Sequence, residues 1–71
     1  MEATRIYGLL LVAGTSPRKI ADDLGVSRRL VELVCHGERG GGPEASRVRR
    51  EISEAVGLTE EALWGPKEEA A

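Results

Sequence analysis

Ile6, Leu9, Leu10 and Ala13 recur at i, i+3, i+4 and i+7, and that spacing predicts an amphipathic first helix ended by Gly14. Tyr7 and Leu11 widen its apolar face, which implies contact on two sides, with the helices that follow and with Leu63 and Trp64. Ser16-Pro17 reads as a cap followed by proline at the first helical position, where the missing N–H costs nothing. The second helix carries Ile20, Ala21 and Leu24 on one side, and a third carries Val31 and Val34. Ala21 is small enough for these two helices to cross closely, Gly25 can take the left-handed conformation that stops the second helix, and Val26 fills the corner. Ser27 caps the third helix and leaves Arg28 and Arg29 in its first turn. After a glycine-rich loop from Gly37 to Gly42, Val48, Ile52, Ala55 and Val56 supply the buried stripe of a fourth helix closed by Gly57. Thr59 caps a short fifth helix containing Ala62, Leu63 and Trp64, which Gly65-Pro66 stops.

This pattern predicts an all-α fold, a compact bundle of about five short helices in one domain over residues 1–65, followed by a short disordered tail over residues 66–71. Composition points the same way. A chain of 71 residues is too short to bury a core and form a deep catalytic cleft as well, which favours a binding module over an enzyme. With no Phe, one Trp and one Tyr, the core has to be built from Leu, Val, Ile and Ala. Cys35 is the single cysteine, which excludes an internal disulfide and the multi-cysteine zinc frameworks and fits a reducing cytoplasm. Cys35 and His36 are neighbours, so they leave a helix in different directions, and no acid at a matching spacing completes a catalytic set. No cofactor, metal or small-molecule ligand is expected. The run from Ile6 to Ala13 is near the short limit for a secretion signal and is preceded by Glu2 as well as Arg5. A membrane span would need about 20 apolar residues. A cytoplasmic protein without a membrane partner is the expectation.

The formal net charge is −2, but its distribution changes what that implies about partners. From Gly14 to Arg50 the chain has eight basic residues and five acidic ones, whereas from Glu51 onward six glutamates face only Lys67. An acidic end turned away from a polyanionic partner would limit non-specific binding while leaving the basic part effective, since salt screens charges beyond about 8–10 Å. The plainer alternative is a solvated acidic tail.

The segment from Pro17 to Gly37, PRKIADDLGVSRRLVELVCHG, therefore has the pattern of a helix-turn-helix, a unit that presents its second helix to the major groove of double-stranded DNA. Arg28, Arg29, Glu32, Leu33 and His36 lie on the sides of that helix that Val31 and Val34 do not use, and are candidates for base contact. The planar fork of arginine bonds two acceptors on a guanine edge, worth about 1–3 kcal/mol of discrimination per good pair. Arg39 in the glycine loop and Arg47 at the start of the fourth helix are candidates for phosphate contact, with Arg49 and Arg50 further along that helix, joined by Arg18, Lys19 and the capping hydroxyls of Ser16 and Ser27. Each also has a plainer reading. On that reading the arginines of the third helix bind only phosphate, Glu32 only pairs with Arg28 at i, i+4, Leu33 belongs to the core, and Arg49 and Arg50 are ordinary exposed helix residues. Tyr7, Leu11, Leu63 and Trp64 are candidates for either a lid on the core or a dimer contact.

In their order and spacing, IADDLGVS, RRLVELV, the basic loop, VRREISEAVGL and the closing EALW resemble the small helix-turn-helix regulators of the lambda-repressor-like superfamily, especially the short phage and prophage proteins of the Ner type. The resemblance covers most of the chain. It implies a sequence-specific transcriptional regulator, a repressor of phage, prophage or mobile-element type acting as a homodimer on an operator. It also implies that Glu32 points to DNA, where it accepts from a cytosine amine or orients an arginine, and that Leu33 touches a thymine methyl. The chain departs from the pattern at Pro17, where relatives often carry a polar residue that touches phosphate, in the Gly40-Gly41-Gly42 run, and in its acidic balance. Two other functions stay open: a DNA-architectural or recombination accessory factor, and a protein-interaction module docking through Tyr7, Leu11 and Trp64.

Overall fold

The computed structural model describes residues 1–65; the tail expected over residues 66–71 lies outside the described residues. Five helices follow one another, α1 (Ala3–Val12), α2 (Pro17–Leu24), α3 (Arg28–Cys35), α4 (Pro43–Val56) and α5 (Glu60–Trp64). No strand occurs among the described residues. The radius of gyration is 11.2 Å, which matches the value of about 11 Å expected for a folded chain of this length.

Side-chain caps set three of the helix starts. Ser16 Oγ accepts from the Lys19 N–H at 3.1 Å, Ser27 Oγ from the Leu30 N–H at 3.1 Å, and Thr59 Oγ1 from the Ala62 N–H at 3.1 Å. Each hydroxyl satisfies an amide that a helix start leaves without an intrahelical partner. Between α2 and α3 the chain turns in three residues. Gly25 is left-handed at φ 68°, the Val26 N–H reaches the Ala21 carbonyl at 3.0 Å and the Gly25 N–H reaches the Asp22 carbonyl at 3.4 Å, the paired bonds of a Schellman termination. A side chain at residue 25 would have to adopt a conformation that only glycine takes at little cost.

The core consists of Ile6, Leu10, Ile20, Ala21, Val31, Val34, Cys35, Ala45, Val48, Ile52 and Leu63, and no polar or charged residue among those described is fully buried. α2 and α3 pack against each other over the Ile20, Ala21, Val31 and Val34 side chains, and α4 lies behind them, in contact with α1, α2, α3 and α5. The apolar stripes anticipated on the first four helices therefore close on one another, except at Ala13, which lies just past the end of α1 and is exposed.

α4 is longer than the sequence pattern suggested. It begins at Pro43, with Gly42 before it at φ 90° and no side-chain cap, so that Ala45 joins the core. Proline is compatible with the first helical position because its N–H would be unbonded there in any case. Leu63 is fully buried, but the lid expected over α1 is not built as anticipated. α5 packs chiefly on α4, where the Trp64 ring lies 5.1 Å from the Arg49 guanidinium carbon. Arg49 Nε also lies 3.1 Å from Glu60 Oε1, without hydrogen-bond geometry at Nε, so that contact is Coulombic. Arg49 Nη1 donates to the Gly40 carbonyl at 3.4 Å. Arg49 is thus neither an ordinary exposed residue nor free for phosphate; it ties the glycine loop and α5 to α4. Leu11 takes no part in a lid, being 76 % exposed beside Val12 at 87 %.

Candidate nucleic-acid interface

One arc of α3 faces the core through Leu30, Val31, Val34 and Cys35. At 100° per residue the remaining positions, Arg28, Arg29, Glu32, Leu33 and His36, fall together on the opposite arc. Arg28 Nε lies 3.1 Å from Glu32 Oε2, with the two side chains 65 % and 39 % exposed. A pair of this kind at i, i+4 adds only about 0.3–0.5 kcal/mol of stability. Its geometric effect is larger, because it holds the guanidinium by Nε, while neither terminal nitrogen makes a hydrogen bond among the described residues.

α3 ends in a turn as constrained as the one that starts it. Gly37 is left-handed at φ 76°, its N–H bonds the Val34 carbonyl at 3.0 Å and the Glu38 N–H bonds the Leu33 carbonyl at 3.0 Å. This fixes His36 and Glu38 at the end of the outer arc. Tyr7 on α1 completes the surface, with its ring edge-on to the His36 imidazole at a centroid distance of 6.0 Å and an interplanar angle of 76°. Tyr7, Arg29, Glu32, Leu33, His36 and Glu38 together line an open cleft of about 370 Å³. Leu33 is half-buried in this cleft and is absent from the apolar core and from the residues packed on it.

Removal of the Tyr7 phenol from water raises its pKa, and the nearby Cys35 and Glu32 add to the rise. The phenol therefore remains a hydrogen-bond donor at neutral pH. Burial, assisted by Glu32, pushes the Cys35 thiol up from 9.0 to about 11. A thiol held neutral is a poor nucleophile. Cys35 is accordingly expected to resist alkylation by iodoacetamide at pH 8 in the folded protein and to react fully in denaturant; modification at equal rates in both states would contradict its burial. Because the folded-state pKa is the higher one, the thiol's contribution to stability is fully present below pH 9.0 and lost as pH rises through about 11.

The proposed phosphate contacts are dispersed. Arg18 and Lys19 stand exposed on the first turn of α2, while the hydroxyls of Ser16 and Ser27 are engaged as caps. Arg39 borders a second cleft of about 250 Å³ with Leu30, Gly41, Gly42, Pro43, Glu44 and Ala45. Glu44 in the first turn of α4 already supplies a negative charge to that helix end, which weakens it as an anion site. Arg47 Nη2 donates to the Leu24 carbonyl at 3.3 Å, so Arg47 helps tie the end of α2 to α4. Sequence reasoning missed the positions of Tyr7 and Glu38 beside α3. The Tyr7–His36 contact joins residues far apart in the chain, and no local spacing reports such a contact.

No group of three or more His, Cys, Asp or Glu residues suited to a metal ion occurs among the described residues, and no helix among them is long and apolar enough to cross a membrane. Comparison with protein-family models, curated proteins and solved structures gave no match.

Proposed function

We propose that this chain is a sequence-specific regulator that binds double-stranded DNA by inserting α3 into the major groove and represses transcription by occupying an operator. The observation that carries this reading is the outer arc of α3, where Arg28, Arg29, Glu32 and His36 stand around a leucine that packs on no core residue. A helix of eight residues, held at both ends by constrained turns and offering a row of hydrogen-bonding side chains, matches what base-edge reading needs. Arg18, Lys19 and Arg39 are the phosphate contacts this reading favours. Arg47 is a weaker one, since its guanidinium already serves α2. A repressor of phage or prophage type is the form that the family resemblance favours.

Dimerisation on an inverted repeat, with half-sites about 34–36 Å apart, finds support in Leu11 and Val12. They are exposed in a run from Ile6 to Pro17 that carries no charged residue, so two copies can meet there without opposing like charges. Sedimentation with operator DNA should give two chains per site; one chain per site would rule the dimer out.

The test of the main reading is selection from a random DNA duplex pool with the purified protein at near-physiological salt, followed by sequencing. Enrichment of a short motif, in inverted repeat for a dimer, is the expected result. The exposed Leu11 and Val12 also favour a second reading, a module that docks a protein partner. Recovery of no motif, together with partner binding that is insensitive to salt, would establish that reading instead.

A further inference from the structure

Leu33 is the unusual residue of the α3 outer arc. It is half-buried, yet it packs on none of the core residues, and it lines a cleft whose other members are Tyr7, Arg29, Glu32, His36 and Glu38. An apolar side chain held among polar ones gains little from the folded protein itself. It gains when a ligand brings an apolar group to it. Beside it is Glu32, whose Oε2 is held by Arg28 at 3.1 Å. No other hydrogen bond to the Glu32 carboxylate is present among the described residues, so Oε1 is open as an acceptor.

An acceptor and an apolar side chain presented side by side match one base edge better than the others. In the major groove cytosine offers an N4 amine donor, and thymine offers an O4 acceptor beside its C5 methyl group. A carboxylate rejects the thymine O4 and accepts from the cytosine amine, while an unmodified cytosine has nothing for a leucine. Cytosine methylated at C5 has both features, on adjacent ring carbons.

Resting on the DNA-binding reading above, we infer that the Glu32–Leu33 cleft recognises a 5-methylcytosine in the major groove, with Glu32 accepting from N4 and Leu33 covering the C5 methyl. The protein then distinguishes the methylation state of its site and not its sequence alone. Burial of one methyl group is worth a factor of about four in affinity. Exchange of the amine donor for the thymine O4 costs a factor of about ten.

The experiment uses the full chain and two random duplex pools, one synthesised with cytosine and one with 5-methylcytosine in its place, followed by titration of the enriched site carrying cytosine, 5-methylcytosine, thymine or uracil at each pyrimidine. At one position, 5-methylcytosine should bind about fourfold more tightly than cytosine and about tenfold more tightly than thymine. Leu33→Ala should abolish the methyl preference, bringing the ratio of affinities for 5-methylcytosine and cytosine at that position to about one; because Leu33 lies outside the core, this variant is expected to fold. Glu32→Gln, which can donate as well as accept, should erase the preference over thymine. A motif recovered equally from both pools, with no position sensitive to the methyl group, overturns the inference and leaves the DNA-binding reading intact. Thymine favoured over 5-methylcytosine also overturns it, by removing the role of Glu32. A motif from neither pool overturns both readings.

Discussion

Ile52→Ala should remove a large share of the chain's folding stability. Ile52 is fully buried on α4, the helix that touches the other four, and truncation of a buried isoleucine to alanine costs about 2–5 kcal/mol in lost transfer energy and cavity formation. A domain of this size has a total stability of about 4–10 kcal/mol, so the loss is a large share of what holds it together. Relaxation to fill the void is limited, because α1, α2, α3 and α5 would all have to shift toward one point. Urea titration followed by circular dichroism and Trp64 fluorescence would measure the change. Ile52→Val should cost only about 0.5–1.5 kcal/mol. Leu11→Ala, at a residue that is 76 % exposed, should change stability by less than about 0.5 kcal/mol. A cost below about 1 kcal/mol for Ile52→Ala would mean that α4 is not the centre of the core.

The same residue shows what was legible in the sequence and why. Ile52 and Val48 stand at i, i+4, and helical spacing reports burial because one face of each helix has to be covered. Ser16, Ser27, Thr59 and Gly25 were legible for a local reason, since a cap or a left-handed turn is decided by chemistry within three or four residues. The start of α4 was hidden because three consecutive glycines look like a loop, and Pro43 marks a helix start only when the residues after it have a core to face. Arg49 was misread for a related reason: its partners, Gly40 and Trp64, come from both sides in the chain, and pattern alone does not report such contacts. On α3 the outer arc followed from the apolar spacing of Val31 and Val34 and agrees with the exposure of Arg28, Arg29 and His36. The cleft did not follow, because Tyr7 enters it from α1 and was assigned to the lid or the dimer.

On the reading of α3 as the recognition element, Arg28 and Arg29 should dominate selectivity. Arg28→Ala combined with Arg29→Ala is expected to reduce preference for the selected site by about 30-fold to 10⁴-fold, from roughly 1–3 kcal/mol for each arginine fork. Loss of charge alone would also weaken binding, so the decisive variant is Arg28→Lys. Lysine keeps the positive charge but has no planar fork and cannot reproduce the Nε contact to Glu32. The double-logarithmic dependence of affinity on salt, with a slope of about −0.9 per neutralised phosphate, should stay unchanged for Arg28→Lys while preference at one base position falls about tenfold. Arg39→Ala should do the reverse, weakening all sequences about equally and making the slope shallower by about one phosphate. Arg39 is a better control than Arg47, whose guanidinium holds the Leu24 carbonyl at 3.3 Å, so that its removal would disturb α2 as well as any phosphate contact. If Arg28→Lys instead lowers affinity for every sequence alike, Arg28 is a phosphate contact, and the sequence-reading role falls to Arg29 and Glu32.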